Sequence, residues 1–126
     1  MAMENWSIWE SDYRFMSIVW ASAPIPSGQL VEHCRDKLGW KKSTTYNAIR
    51  RMCLKGLIKN ENATVEVIVP KEKVQAMESQ AFLDRVFEGS LSSLFSSFLS
   101  GKALSQKEAD ALKRMIDAFK EDEDNA

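Results

Sequence analysis

The stretch WKKSTTYNAIRRMCLKG, from Trp40 to Gly56, with LIKNENATVEVIVP directly behind it, constrains the fold more than any other part of the chain. At about 100° per residue the first segment places Ala48, Ile49, Met52 and Cys53 on one side and Asn47, Arg50, Arg51 and Leu54 on the other. It therefore predicts a helix with an apolar inner face and a basic outer face. Ser43 or Thr44 offers the cap and Gly56 the stop. The second segment predicts two strands: Leu57 to Lys59, a polar turn in NENA, then Thr64 to Val69, rich in β-branched residues and closed by Pro70. A hairpin behind a basic helix is placed as a wing behind a recognition helix.

Upstream lies the scaffold that such a helix needs. A short extended piece is expected near Ile8, followed by a helix from about Ser11 to Trp20 in which Met16, Val19 and Trp20 recur at helical spacing. Asp12 falls in its first turn, where a negative charge suits the helix dipole. Pro24 and Pro26 break this helix. Ser27 is the expected N-cap of a second helix running to Leu38, with Leu30, Val31, Cys34 and Leu38 inward and Gly39 as its stop. Two helices joined by a tight glycine-containing turn, the second one basic outside, form a helix-turn-helix. With the hairpin, residues 1–70 read as a winged-helix DNA-binding domain.

From Lys71 the pattern changes to amphipathic helices without strands. Val74, Met77, Ala81 and Val86 mark one stripe, widened by Phe82, Leu83 and Phe87 and closed by Gly89. In SLSSLFSSFLS, Leu91, Leu94, Phe95, Phe98 and Leu99 recur at helical spacing among serines. Ser105 and Glu108 form a capping box for a last helix whose inward face is Ala109, Leu112, Ile116 and Phe119, with Met115 at its edge. So many large apolar groups on short helices are hard to bury within residues 71–120 alone, so a second copy is the expected partner. Leu91, Leu94, Phe95, Phe98, Leu99, Leu112, Ile116 and Phe119 are the candidate dimer interface, and residues 121–126 an acidic, disordered tail. The fold class is mainly α with a small β-hairpin wing, a winged helix-turn-helix plus a helical dimerisation domain.

Charge is distributed along the same division. The net charge is −1, yet residues 31–60 carry eight Lys/Arg against two acidic groups, whereas residues 71–126 carry eight basic against eleven acidic groups. A basic segment beside an acidic one suits a chain that meets phosphates with one part and itself with another. Asn47 and Arg50, at the centre of the outer face, are the candidates for base edges in a major groove, with Tyr46 reaching either a base or a phosphate. Lys41, Lys42, Ser43, Thr44, Arg51, Lys55 and Lys59 are the candidates for phosphates, helped by amides at the helix start. The competing class is a winged-helix protein-interaction module without direct DNA readout, its basic face simply solvated.

Other chemistries find little support. Cys34 and Cys53 fall on apolar helix faces and are expected as reduced thiols; with one histidine, His33, expected at the surface, no metal site and no cofactor are predicted. Serines between 90 and 100 have no base placed beside them, so no catalytic residue is assigned and the chain is not read as an enzyme. No apolar run approaches the roughly 18 residues of a membrane span, and a cytoplasmic location is expected.

Three blocks together resemble the penicillinase and methicillin-resistance repressors of the BlaI/MecI type. They are MSIVW at 16–20, STTYNAIRRMCLKGLI at 43–58, and the distal FLDRVFEGSLSSLFSSFL followed by LSQKEADALKRMID. The resemblance runs from about Ile8 to Phe119. It implies a homodimeric transcriptional repressor at palindromic, inverted-repeat operators, controlling genes of the β-lactam-resistance type. It further implies relief by proteolysis within the dimerisation helices, signalled by a membrane sensor protease or performed by a downstream protease. The bond matching the family's Asn-Phe cleavage site is Ser97–Phe98, with serine in place of asparagine. The cysteine cluster of copper-responsive relatives has no counterpart here.

Overall fold

The computed structural model describes residues 10–120; the expected extended piece near Ile8 and the tail at 121–126 lie outside them. The order of elements is mainly helical with a small antiparallel sheet, as the periodicities predict. By compactness the chain divides into two units, one ending at Phe82 and one beginning at Leu83.

In the first unit, helix α1 (Glu10–Ser22) starts with Glu10 and Asp12 in its first turn and buries Phe15, Met16, Ile18 and Val19. It runs two residues beyond the expected end, with the Ser22 hydroxyl donating to the Ile18 carbonyl at 2.6 Å. The proline segment does end it, but does more than break a helix. Ile25–Pro26 forms a strand, β1, a third strand that sequence reasoning missed. Pro26, which has no N–H to donate, lies on an edge strand, where that loss is tolerated.

Helix α2 (Ser27–Leu38) corrects one expectation. Pro26 is its N-cap and Ser27 its first residue, with no side-chain cap bond. Ser27 is buried, and its hydroxyl is used elsewhere. The expected stop holds: Gly39 adopts φ 70°, its N–H donates to the Arg35 carbonyl at 3.0 Å, and the Trp40 N–H donates to the Cys34 carbonyl at 3.3 Å. Helix α3 (Lys42–Leu54) likewise begins before the expected caps. Lys41 is its N-cap, and Ser43 and Thr44 are exposed residues inside the first turn. The indole of Trp40 stacks on Phe15 with centroids 5.9 Å apart and planes 11° from parallel. That packing fixes the chain just ahead of the helix and replaces a capping side chain in setting where it starts.

The hairpin is tighter than NENA suggests. Strands β2 (Ile58–Glu61) and β3 (Thr64–Val67) pair in the register Ile58↔Val67, Lys59↔Glu66, Asn60↔Val65 and Glu61↔Thr64. Only Asn62 and Ala63 remain for the turn, at φ 53° and 57°, the signs of a type I′ turn. The sheet order is β1-β3-β2, with Ile25 opposite Val65 and the Ser27 N–H donating to the Ala63 carbonyl at 2.8 Å. Phe15, Met16, Leu30, Met52, Leu57 and Val65 are among the fully buried side chains of the core between helices and sheet. Helix α4 (Lys71–Phe87) adds Val74 to that core, and Gln75 donates to the Tyr13 hydroxyl at 3.4 Å.

In the second unit, α5 (Leu91–Phe98) is capped by Ser90, whose hydroxyl accepts from the Ser93 N–H at 3.1 Å. Ser105 does the same for α6 (Gln106–Phe119), accepting from Glu108 at 3.1 Å as the capping box predicts. Neither helix buries a single residue within one chain.

Candidate nucleic-acid interface

Helix α3 presents two chemically opposite faces. Thr45, Ala48, Ile49 and Met52 are buried, whereas Lys42, Ser43, Thr44, Asn47, Arg50 and Leu54 are exposed. On the outer face Arg50 Nη1 donates to Asn47 Oδ1 at 3.3 Å, so the two residues predicted to meet base edges hold one another in a common orientation. Lys41 and Lys42 sit at the N-cap and first helical residue, beside first-turn N–H groups that have no helical acceptor.

The remaining predicted contacts have partners inside the protein. Tyr46 is half-buried, and its hydroxyl shares a 3.3 Å hydrogen bond with that of Ser27, tying α3 to the start of α2. Arg51 is turned towards α1: Nη2 donates to Asp12 Oδ1 at 2.7 Å and Nε to Oδ2 at 3.2 Å. The bond to Asp12 raises the guanidinium's affinity for its proton further, against a smaller opposing effect of burial. Lys55 is half-buried at the end of the helix. On the wing, Lys59 Nζ lies 3.2 Å from Glu66 and 3.8 Å from Glu61, and its pKa is raised, first by the hydrogen bond to Glu66 and then by the charges of both carboxylates.

Asp12 is the residue whose role sequence reasoning missed. Its place in the first turn suits the helix dipole, yet it also lies four residues before Met16 and seven before Val19, on the stripe that the core covers. A carboxylate on a buried stripe requires a cation, and that was the available signal.

The two thiols are free, Cys34 buried and Cys53 half-buried. Burial pushes both above their ordinary pKa, opposed for Cys34 by a hydrogen bond with Thr45 and for Cys53 by one with the backbone of Asn60. Among the described residues no group of three or more His, Cys, Asp or Glu is placed to hold a metal, and no helix is long and apolar enough to cross a membrane.

The candidate dimer residues form a solvent-facing apolar set on α5 and α6. Leu91, Phe95, Phe98, Ile116 and Phe119 are exposed, the last at 84%, and Leu94, Leu99 and Leu112 are half-buried. The Ser97–Phe98 bond lies in the final turn of α5, with both residues exposed and Lys102 Nζ 4.5 Å from the centre of the Phe98 ring.

A family model described as Penicillinase repressor matches residues 8–118. The methicillin resistance regulatory protein MecI of Staphylococcus aureus strain Mu50 is 24% identical over 120 residues, covering 92% of this chain and 98% of that protein. Its namesake in Mammaliicoccus sciuri is 23% identical over the same span. The penicillinase repressor of Bacillus licheniformis is 22% identical over 115 residues, covering 88% of this chain and 90% of that protein. These relatives are named as regulators and repressors, not as enzymes.

Proposed function

The chain belongs to the penicillinase repressor family, and on that premise we propose that it is a homodimeric transcriptional repressor that reads an inverted-repeat operator with α3. The observation that carries this reading is the exposed Asn47–Arg50 pair on a helix whose opposite face is buried. Arginine matches the O6 and N7 acceptors of guanine, and asparagine the N6 and N7 pair of adenine. Lys41, Lys42, Ser43 and Thr44 surround the helix start and suit phosphates on either side of the groove. Tyr46 and Arg51 have positioning roles through Ser27 and Asp12 beside any contact of their own, and Lys59 meets DNA with its charge already balanced by two carboxylates.

The exposed apolar residues of α5 and α6 support a two-fold dimer, in which one patch meets its own copy and two α3 helices are presented together. The names of the relatives support target genes of the β-lactam-resistance type, and a repressor that acts on those genes works in the cytoplasm. Proteolysis between Ser97 and Phe98 would separate α6 from the DNA-reading unit and so relieve repression, by a membrane sensor protease or one downstream of it.

Full-length protein should select duplexes from a random library at low salt. On them it should protect two half-sites related by a dyad and about one helical turn, or a multiple of it, apart. Sedimentation should give a dimer. No selected duplex, or a monomer bound to a single half-site, overturns the proposal.

A further inference from the structure

Leu54 is 83% exposed, the most exposed large apolar side chain among the described residues of the winged-helix unit. It does not sit at an edge of α3. At about 100° per residue, Ser43, Asn47, Arg50 and Leu54 fall within an arc of about 60°, so the leucine continues the stripe that contains the Asn47–Arg50 pair. A leucine left in water gains none of the burial that other side chains of its size obtain in this core. Its setting also favours one class of occupant over another. Helix α3 contains no acidic residue, Arg50 lies within the stripe and Lys42 is exposed beside it, so the surface complements a polyanion better than a protein.

We propose that Leu54 reads the C5-methyl group of a thymine in the major groove, an inference that rests on the DNA-reading role of α3. Thymine alone among the four bases displays an apolar group there, and leucine, with no donor or acceptor, distinguishes it from cytosine by that group. Four residues separate Leu54 from Arg50, a rise of about 6 Å along the helix, so the thymine lies about two base steps from the base that Arg50 takes.

The test uses a duplex selected from a random library by the full-length chain, with each thymine replaced in turn by deoxyuridine, which lacks only the methyl group. One position in each half-site should lose about fourfold in affinity, the value of one buried methyl group. Leu54→Ala, a change at an exposed site whose fold is checked by circular dichroism, should bind the thymine duplex about as weakly and show no further loss with deoxyuridine at that position. If no substitution weakens the wild type, or if Leu54→Ala stays equally sensitive, the methyl contact is overturned while reading by Asn47 and Arg50 stands. Failure to select any duplex overturns both.

Discussion

Asp12 and Arg51, 39 residues apart in sequence, join α1 to α3 through two parallel hydrogen bonds, with the aspartate side chain 4% exposed and the arginine side chain 49%. The pair ties α3 to α1 beneath the exposed basic face of α3. Arg51→Ala should therefore destabilise the protein by about 2 to 3 kcal/mol, below the roughly 3 to 5 of a fully buried pair because half of the arginine side chain remains in water. Arg51→Lys should recover little, as an ammonium cannot satisfy both carboxylate oxygens in a fork. Urea titration checks this, and wild-type stability in either variant would show that the pair is incidental.

Base readers and phosphate contacts differ in how salt and sequence affect them. Arg50→Ala should cost about 1 to 3 kcal/mol on the selected site and loosen sequence preference, whereas Lys42→Ala should weaken all sequences alike and reduce the salt slope by about one. For a dimer making about six to eight phosphate contacts, log K should fall with log salt at roughly −5 to −7. Binding titrations at several salt concentrations on selected and random duplexes separate the two roles. Equal losses from both variants on both duplexes would contradict the assignment.

The wing turn carries a measurable strain. Ala63 adopts φ 57°, where a β-carbon crowds the backbone, at the position where a type I′ turn prefers glycine. Ala63→Gly should stabilise the chain by about 0.5 to 1 kcal/mol, the relief of that crowding less the extra entropy glycine loses on folding. A higher urea midpoint with unchanged slope is the expected result.

Stability should also decline in alkali for a specific reason. Cys34 and Cys53 hold their protons above the ordinary value of 9.0 because burial disfavours the thiolate. The unfolded chain therefore releases these protons first. Stability is unaffected below about pH 9 and falls above it until the folded thiols themselves ionise. The ion pairs of Lys59 are lost only higher, above its ordinary 10.5. Replacing both cysteines by alanine should flatten unfolding free energy between pH 8 and 10, even though each variant starts from a lower value; an unchanged decline would assign the effect to other groups.

Local pattern carried most of the architecture into view. The helices and the wing announce themselves because each repeats a period of 3.6 or 2 over enough residues to be read, and Gly39 and Ser105 mark ends by local chemistry alone. What stayed hidden is either too short or too distant. Ile25–Pro26 spans no period, and its identity as a strand comes from Val65 and Thr64 some forty residues on. The starts of α2 and α3 are set by the sheet and by Trp40 on Phe15, which override the capping preference of Ser27, Ser43 and Thr44. The outward placement of Asn47 and Arg50 on α3 was legible from helical geometry. The internal partners of Arg51, Tyr46 and Lys59 were not, because a sequence shows a charge or a hydroxyl and not what faces it across the fold.

The bond from Ser27 N–H to the Ala63 carbonyl limits where this chain can tolerate insertion. It joins the wing tip to the first residue of α2, which packs against α3, so the register of the hairpin and the start of α2 are set together. Residues added within β2 or β3 would shift the register that delivers Ala63 to Ser27 and disturb α2. Residues added between Asn62 and Ala63 loop outward and leave that anchor in place, so the turn is a point from which a longer wing can grow.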